Sequence, residues 1–287
     1  MKIVLPAFAA AFAILCGRLD ASPLKGATLS RIVNEVQVSG AHASSHRAAE
    51  RDVLDADARI HAGAQSRAEV VFADQTLVRL GAETSLSLQP SQREISLESG
   101  TLLVQVPAFR GGARIRTGPL AMSCGGATIL LEHLPGKSFK AVVLEGEMRV
   151  SVARFLGDSI VVPAGKMLIT SLDATRIPDP VDTDLRTLVS TSTLIAAGSA
   201  ANFAPLPSLP RIMRQITRQE DALRTKRLYR TNLVIRGSGT NVIIPSGADA
   251  NAEAAQESEK TNRRTAETGA SLVAGGQSVE EPLLPEP

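Results

Sequence analysis

Cys124 is the side chain in this sequence best placed by its type to act as a nucleophile. It sits in Ser123-Cys124-Gly125-Gly126, and a reactive thiolate there needs a base or a helix N-terminus to lower its pKa; His133 is the imidazole that could serve. The glycines favour a crowded β-corner instead, with the cysteine as a small apolar filler. His42 and His46 stand at i and i+4, a spacing that turns two imidazoles to one side of a helix for a metal ion. Their Ala-Ser-Ser surroundings supply no third ligand and no helical pattern, so a solvated loop is expected. His61 and His133 are isolated and read as structural. Leu134-Pro135-Gly136-Lys137-Ser138 ends like a phosphate loop, but Leu131 occupies the position of that motif's first glycine and a strand follows. A hairpin turn explains it better. Glu280-Glu281 fall in the tail, away from a body able to shift a carboxylate pKa. Neither Gly-x-Ser-x-Gly nor His-Glu-x-x-His occurs. The expectation is a non-enzyme with no catalytic, cofactor or metal-binding residue.

The elements that would position such residues are short strands. Ala68–Phe72, Thr76–Leu80, Ser85–Leu88, Ile95–Leu97, Leu102–Val106, Ala127–Leu131, Phe139–Leu144, Met148–Val152, Ile160–Val162 and Met167–Ile169 alternate or carry β-branched runs. Gly81, Gly100, Gly111, Gly125, Gly136, Gly146, Gly157 and Gly165 punctuate them. Strands renewed every eight to twelve residues or so, with glycine between them, predict an all-β body.

The 287 residues carry 31 Lys+Arg against 29 Asp+Glu, with no Trp, one Tyr and seven Phe. The core must therefore be aliphatic, and the scarcity of aromatics argues against carbohydrate-stacking and base-stacking surfaces. The first residues read as a secretory signal: Lys2, then an apolar run from Ile3 to Cys16 that is short for a membrane span. Cleavage is expected after Ala21. A lipoprotein signal with Cys16 lipidated is the alternative, against which bulky Leu15 counts. With Cys16 removed, Cys124 has no partner for an internal disulfide.

The expected organisation is a signal at 1–21, an N-terminal strand (Leu29–Val38) and loop (Gly40–Glu50) within 22–52, a β domain at 53–172, a helical basic extension at 173–245 and a disordered tail at 246–287. Ile177-Pro178-Asp179-Pro180 closes the body. Asp182–Ile195 and Arg211–Arg230 read as helices, the first capped by Asp182 or Thr183, and Asn232–Arg236 with Thr240–Ile244 as a closing strand pair. Arg211 to Arg236 holds eight basic residues against Glu220 and Asp221. A solvated helix face is its expected role, ahead of contact with an anionic membrane or polymer; nucleic acid is not expected. The tail has eight acids against three bases and few large apolar residues.

The stretch from Arg59 to Leu88 resembles the opening of the FecR domain, a periplasmic signalling module. The residues that carry the likeness are Gly63, Ser66, Arg67, Ala68, Phe72, Asp74, Leu77, Arg79, Leu80, Gly81 and Thr84. Later landmarks follow in order: Leu97, Gly100, Leu103, Thr117, Val143-Leu144-Glu145-Gly146 and Val162-Pro163-Ala164-Gly165-Lys166. Two positions depart from the pattern: Gly126-Ala127 stands for a Gly-Thr pair, and Asp74-Gln75 for an Asp-Gly turn. The resemblance implies a short β-solenoid or three-sided β-prism. With a signal-like start and no cytoplasmic segment before it, it also implies an exported, stand-alone member rather than a direct sigma-factor regulator. The expected role is a non-enzymatic envelope binding or signalling module for a protein or polymer. A self-associating surface protein and an envelope thiol enzyme centred on Cys124 remain open alternatives.

Overall fold

The computed structural model describes residues 26–40, 44–55, 57–89, 92–152, 159–174, 176–195, 203–235 and 240–245. The expected signal with Cys16, the residue His42 and the tail at 246–287 lie outside them. In chain order the strands are β1 (Ala27–Val33), β2 (Val36–Ser39), β3 (His46–Arg47), β4 (Val53–Leu54), β5 (Arg59–Ala62), β6 (Arg67–Phe72), β7 (Leu77–Leu80), β8 (Thr84–Gln89) and β9 (Glu94–Val106). They continue as β10 (Ala113–Thr117), β11 (Leu120–Cys124), β12 (Ala127–Leu134), β13 (Ser138–Glu145), β14 (Glu147–Val152), β15 (Ser159–Pro163) and β16 (Lys166–Thr170). The extension adds β17 (Val181–Thr183), α1 (Leu185–Thr191), α2 (Leu209–Arg224), β18 (Leu228–Ile235) and β19 (Thr240–Pro245). The protein is all-β in its body, as its sequence indicates.

The strands fall into two sheets that share β9. The first runs β4-β1-β6-β7-β9-β12-β13-β16-β17-β19-β18, and the second β3-β2-β5-β8-β9-β10-β11-β14-β15. Among these pairings only β9 with β10 is parallel. Hairpins cross alternately from one sheet to the other, so the faces number two and the winding is mostly antiparallel. Alternate residues such as Ile60, Leu86, Leu88, Ile115, Met122 and Val150 of the second sheet meet Val70, Leu80, Val104, Ile129 and Val143 of the first in one buried core.

The middle strands of the first sheet are buried on both faces. Leu103, Leu130, Val142, Leu144 and Met167 point away from the main core into a second apolar cluster. Leu185, Leu188, Leu194, Phe203, Leu206, Ile212 and Ile216 of the extension cover them. This explains why Ile129–Leu131 and Ala141–Leu144 are continuously apolar rather than alternating.

Local differences from the sequence reading have physical causes. The expected strand Leu29–Val38 is two strands broken at Asn34, whose φ of 62° suits a short polar side chain that tolerates the left-handed region. The two expected strands on either side of Gly100 are one, β9, which passes through that glycine as it leaves one sheet for the other. The first helix is shorter than expected, because Asp182 and Thr183 pair as β17 and Asp184 is the N-cap, accepting from Thr187 N–H at 3.1 Å. The second spans Leu209–Arg224.

Gln75 keeps the turn that the family pattern gives to glycine. Its φ is 69°, its N–H donates to Phe72 O at 2.8 Å, and Asp74 Oδ1 accepts from Thr76 N–H at 2.9 Å. A left-handed non-glycine residue costs about 1 kcal/mol. Gln75→Gly is therefore expected to raise stability by up to about 1 kcal/mol, read as a higher urea midpoint. An unchanged or lower midpoint would show that the Gln75 side chain offsets its backbone strain.

Candidate functional site

Two surfaces of the body are organised around charge, one buried and one open. The buried one centres on Arg79 of β7. Its Nε donates to Glu69 Oε2 at 2.8 Å, Nη1 to Leu194 O at 2.8 Å and Nη2 to Ala204 O at 2.5 Å. The guanidinium lies 4.7 Å from the Phe203 ring centroid. Ser30 Oγ of β1 donates to the other Glu69 oxygen at 2.7 Å. Burial pushes the Arg79 pKa down, while Glu69 opposes the shift. A planar fork with five donors suits this task, because it bonds one carboxylate and two backbone carbonyls at once.

A second set of anchors lies beside it. Gln105, Thr128 and Glu145 are cross-strand neighbours on β9, β12 and β13. Gln105 Oε1 accepts from Ser208 N–H at 3.3 Å, and Thr128 bonds Ser208 Oγ at 2.8 Å. Glu145 holds Arg211 through both oxygens, at 2.8 and 3.0 Å. The start of α2 is thus fixed on the sheet, and the extension is packed as a third layer. Of the basic segment, Arg211 is committed to Glu145 and Arg230 to Asp184. Ile212 and Ile216 of α2 are buried, while Arg214, Arg218 and Arg224 face solvent.

The open surface is the outer face of the second sheet. Arg59, Ser87, Ser96, Arg116, Ala121 and Ser151 lie opposite one another from β5 to β14. A parallel row runs Glu94, Arg114, Ser123, Arg149, Val161 from β9 to β15. A groove of about 490 Å³ opens over the second row and is lined also by Arg93, Gly112 and Glu147. Arg93 is fixed in its wall, bonding Gly112 O at 2.7 Å and Asp74 at 2.5 Å.

Cys124 ends β11 beneath this groove and is 7% exposed. Burial pushes its thiol pKa up to about 12, the direction opposite to that of a nucleophile. His133 is at the far end of β12, six residues beyond Ala127 and therefore roughly 20 Å along the strand, and burial pushes its pKa down. The structure does not bring the two together, which removes the geometry that the thiol-enzyme alternative requires. Native protein at pH 7.4 is expected to react with a maleimide far more slowly than urea-unfolded protein, by about a thousandfold. Equal rates would show an accessible, ionisable thiol.

The other sequence candidates are scattered. His46 is exposed on β3, with Asp52 at 3.9 Å. His61 Nδ1 meets Ser85 Oγ at 2.8 Å across β5 and β8. Gly136-Lys137-Ser138 turns β12 into β13, with Lys137 N–H donating to Leu134 O at 3.0 Å. No group of three or more His, Cys, Asp or Glu able to hold a metal occurs among the described residues. Sequence reasoning passed over the Arg114–Ser123–Arg149 row, although Ala113–Thr117 alternates arginine with buried residues. It also did not foresee that Arg79, noted as a landmark, would be buried.

Residues 58–149 match the family described as FecR protein. No curated protein matches the sequence. Two crystal structures, each of a proposed anti-sigma factor from Parabacteroides distasonis ATCC 8503, are similar. The first, at 17% identity and a TM-score of 0.40, is aligned over 47% of this chain and 64% of its own. The second, at 14% identity and a TM-score of 0.40, is aligned over 66% of this chain and 99% of its own. This chain thus spans under two thirds of the first structure. The FecR match covers β5 to the middle of β14, including Arg79, Gly100, Gly146 and both flanks of the groove. The part of the chain that matches the FecR family is thus residues 58–149.

Proposed function

We propose that this chain is an exported, non-enzymatic binding module that acts in envelope signalling. The observation that carries the reading is the FecR match at residues 58–149. Its outer sheet face is broad, polar and open, while its opposite face is covered by the extension. The signal-like start at 1–21 supports export. Binding through the open face of the second sheet suits a module whose other face is occupied by its own chain. The buried, high-pKa Cys124 supports a non-enzymatic role.

Fractionation of the tagged full-length protein tests the location. A periplasmic or envelope pool lacking residues 1–21 is expected; a cytoplasmic pool with an intact N-terminus would overturn export. Cross-linking in intact cells tests the role. Capture of an envelope component through the second sheet is expected, and loss of the protein without any change in envelope-responsive transcription would count against signalling.

A further inference from the structure

The groove over β10, β11 and β14 has the makings of a ligand site. Arg114, Ser123 and Arg149 are exposed and opposite one another in register. Strands lie about 4.8 Å apart, so the two arginines are roughly 10 Å apart at Cα, and both long side chains reach a group held over Ser123. Neither arginine is neutralised by a carboxylate among the described residues: Arg149 Nη1 donates to Ser159 Oγ at 3.0 Å, whereas neighbouring Arg116 is held by Glu94 at 2.9 Å. Two forked cations either side of a hydroxyl match one carboxylate.

A second feature lies in the chain just before the groove wall at Gly111. Phe109 is wholly exposed, with a relative accessibility of 104%, in a chain that has only seven Phe. It sits in the β9–β10 connection, whose Gly111 and Gly112 line the same groove, and its φ is 61°. An aromatic residue on a left-handed backbone is strained, and such strain clusters at ligand clamps. The ring supplies a flat apolar surface and the arginines supply charge. The row from Arg59 to Ser151 continues the polar floor beside the groove, giving a linear chain room to lie.

We propose that this groove binds an acidic polysaccharide, with Arg114 and Arg149 clamping a uronate carboxylate, Ser123 donating to it, and Phe109 stacking on a sugar ring. This deepens the reading of the chain as an envelope binding module and names the partner's chemistry. It also qualifies the inference from scarce aromatics, since one well-placed ring is enough beside two cations.

Calorimetric titration of purified protein with a galacturonic acid oligomer tests it, alongside neutral dextran and polyphosphate. Binding to the oligomer and not to dextran is expected, weakening with salt. Arg114→Gln with Arg149→Gln should weaken it by at least about tenfold, Phe109→Ala by several-fold, and Glu147→Gln should tighten it. Arg214→Gln with Arg218→Gln on α2 should leave it unchanged. Absence of binding, equal affinity in the double groove variant, or equal loss in the α2 variant would overturn the proposal. Preference for polyphosphate over the oligomer would overturn the polysaccharide assignment. These outcomes are independent of fractionation, so failed export and a failed groove are told apart.

Discussion

Arg79→Met is expected to destabilise the protein by about 3–5 kcal/mol and to loosen the extension from the first sheet. The variant leaves the Glu69 carboxylate buried with only Ser30 to bond it. It also strips Leu194 O and Ala204 O of their donors. Methionine fills similar space, so the loss reads the polar contacts rather than a cavity. Urea unfolding gives the energy, and limited proteolysis gives the location, with faster cleavage between α1 and α2. Arg79→Lys should rescue little, because an ammonium cannot bond one carboxylate and two carbonyls with a planar fork. Adding Glu69→Gln to Arg79→Met should recover part of the loss. Wild-type stability in Arg79→Met would show that apolar packing alone seats the extension.

Gly100→Ala is expected to cost a further class of energy, about 3–5 kcal/mol. Gly100 has φ +93°, and a Cβ there would lie 2.4 Å from Thr84 Oγ1 and 2.5 Å from Thr84 Cα. Thr84 cannot yield easily, since its Oγ1 accepts from Thr101 N–H at 3.0 Å. Gly136→Ala is the control. Its φ is +70°, but nothing lies within 4 Å of the added carbon, so only backbone strain of about 1 kcal/mol applies. Chemical denaturation of the two variants should separate them by several-fold in energy; equal losses would mean that the Thr84 contact relaxes.

Strand patterns were legible in this sequence where apolar alternation or a β-branched run stood clear of turn residues. The Thr84–Gln89 strand alternates buried with half-buried residues and reads as a strand at once. The Ala113–Thr117 and Leu120–Cys124 strands alternate too, but arginines and a central Gly118-Pro119 hide them among turn signals. Gly100 misled in the opposite sense: it looks like a corner, yet β9 continues through it because glycine alone accepts φ +93° while the strand changes sheets. The Arg79 clamp was half legible. Its sequence neighbours mark the family, but its partners at Leu194 and Ala204 are 115 and 125 residues away, and a local pattern carries no information about such contacts. The groove is likewise long-range, assembled from three strands whose register sequence alone does not specify.

The docked extension separates the unit that is recognised from the unit that folds. The FecR match ends at residue 149, inside β14, and begins at residue 58, after β1. Yet β1 is the ladder partner of β6, β13 pairs with β16, and the far side of the first sheet is closed by Leu185, Leu188, Leu194, Phe203, Ile212 and Ile216. Excised at its family boundaries, the domain would expose two ragged sheet edges, a bare leucine-rich face and an arginine without its carbonyls. The matched stretch and the packed unit therefore have different borders, and a transplanted module is expected to need β1, β16 and the covering helices as well.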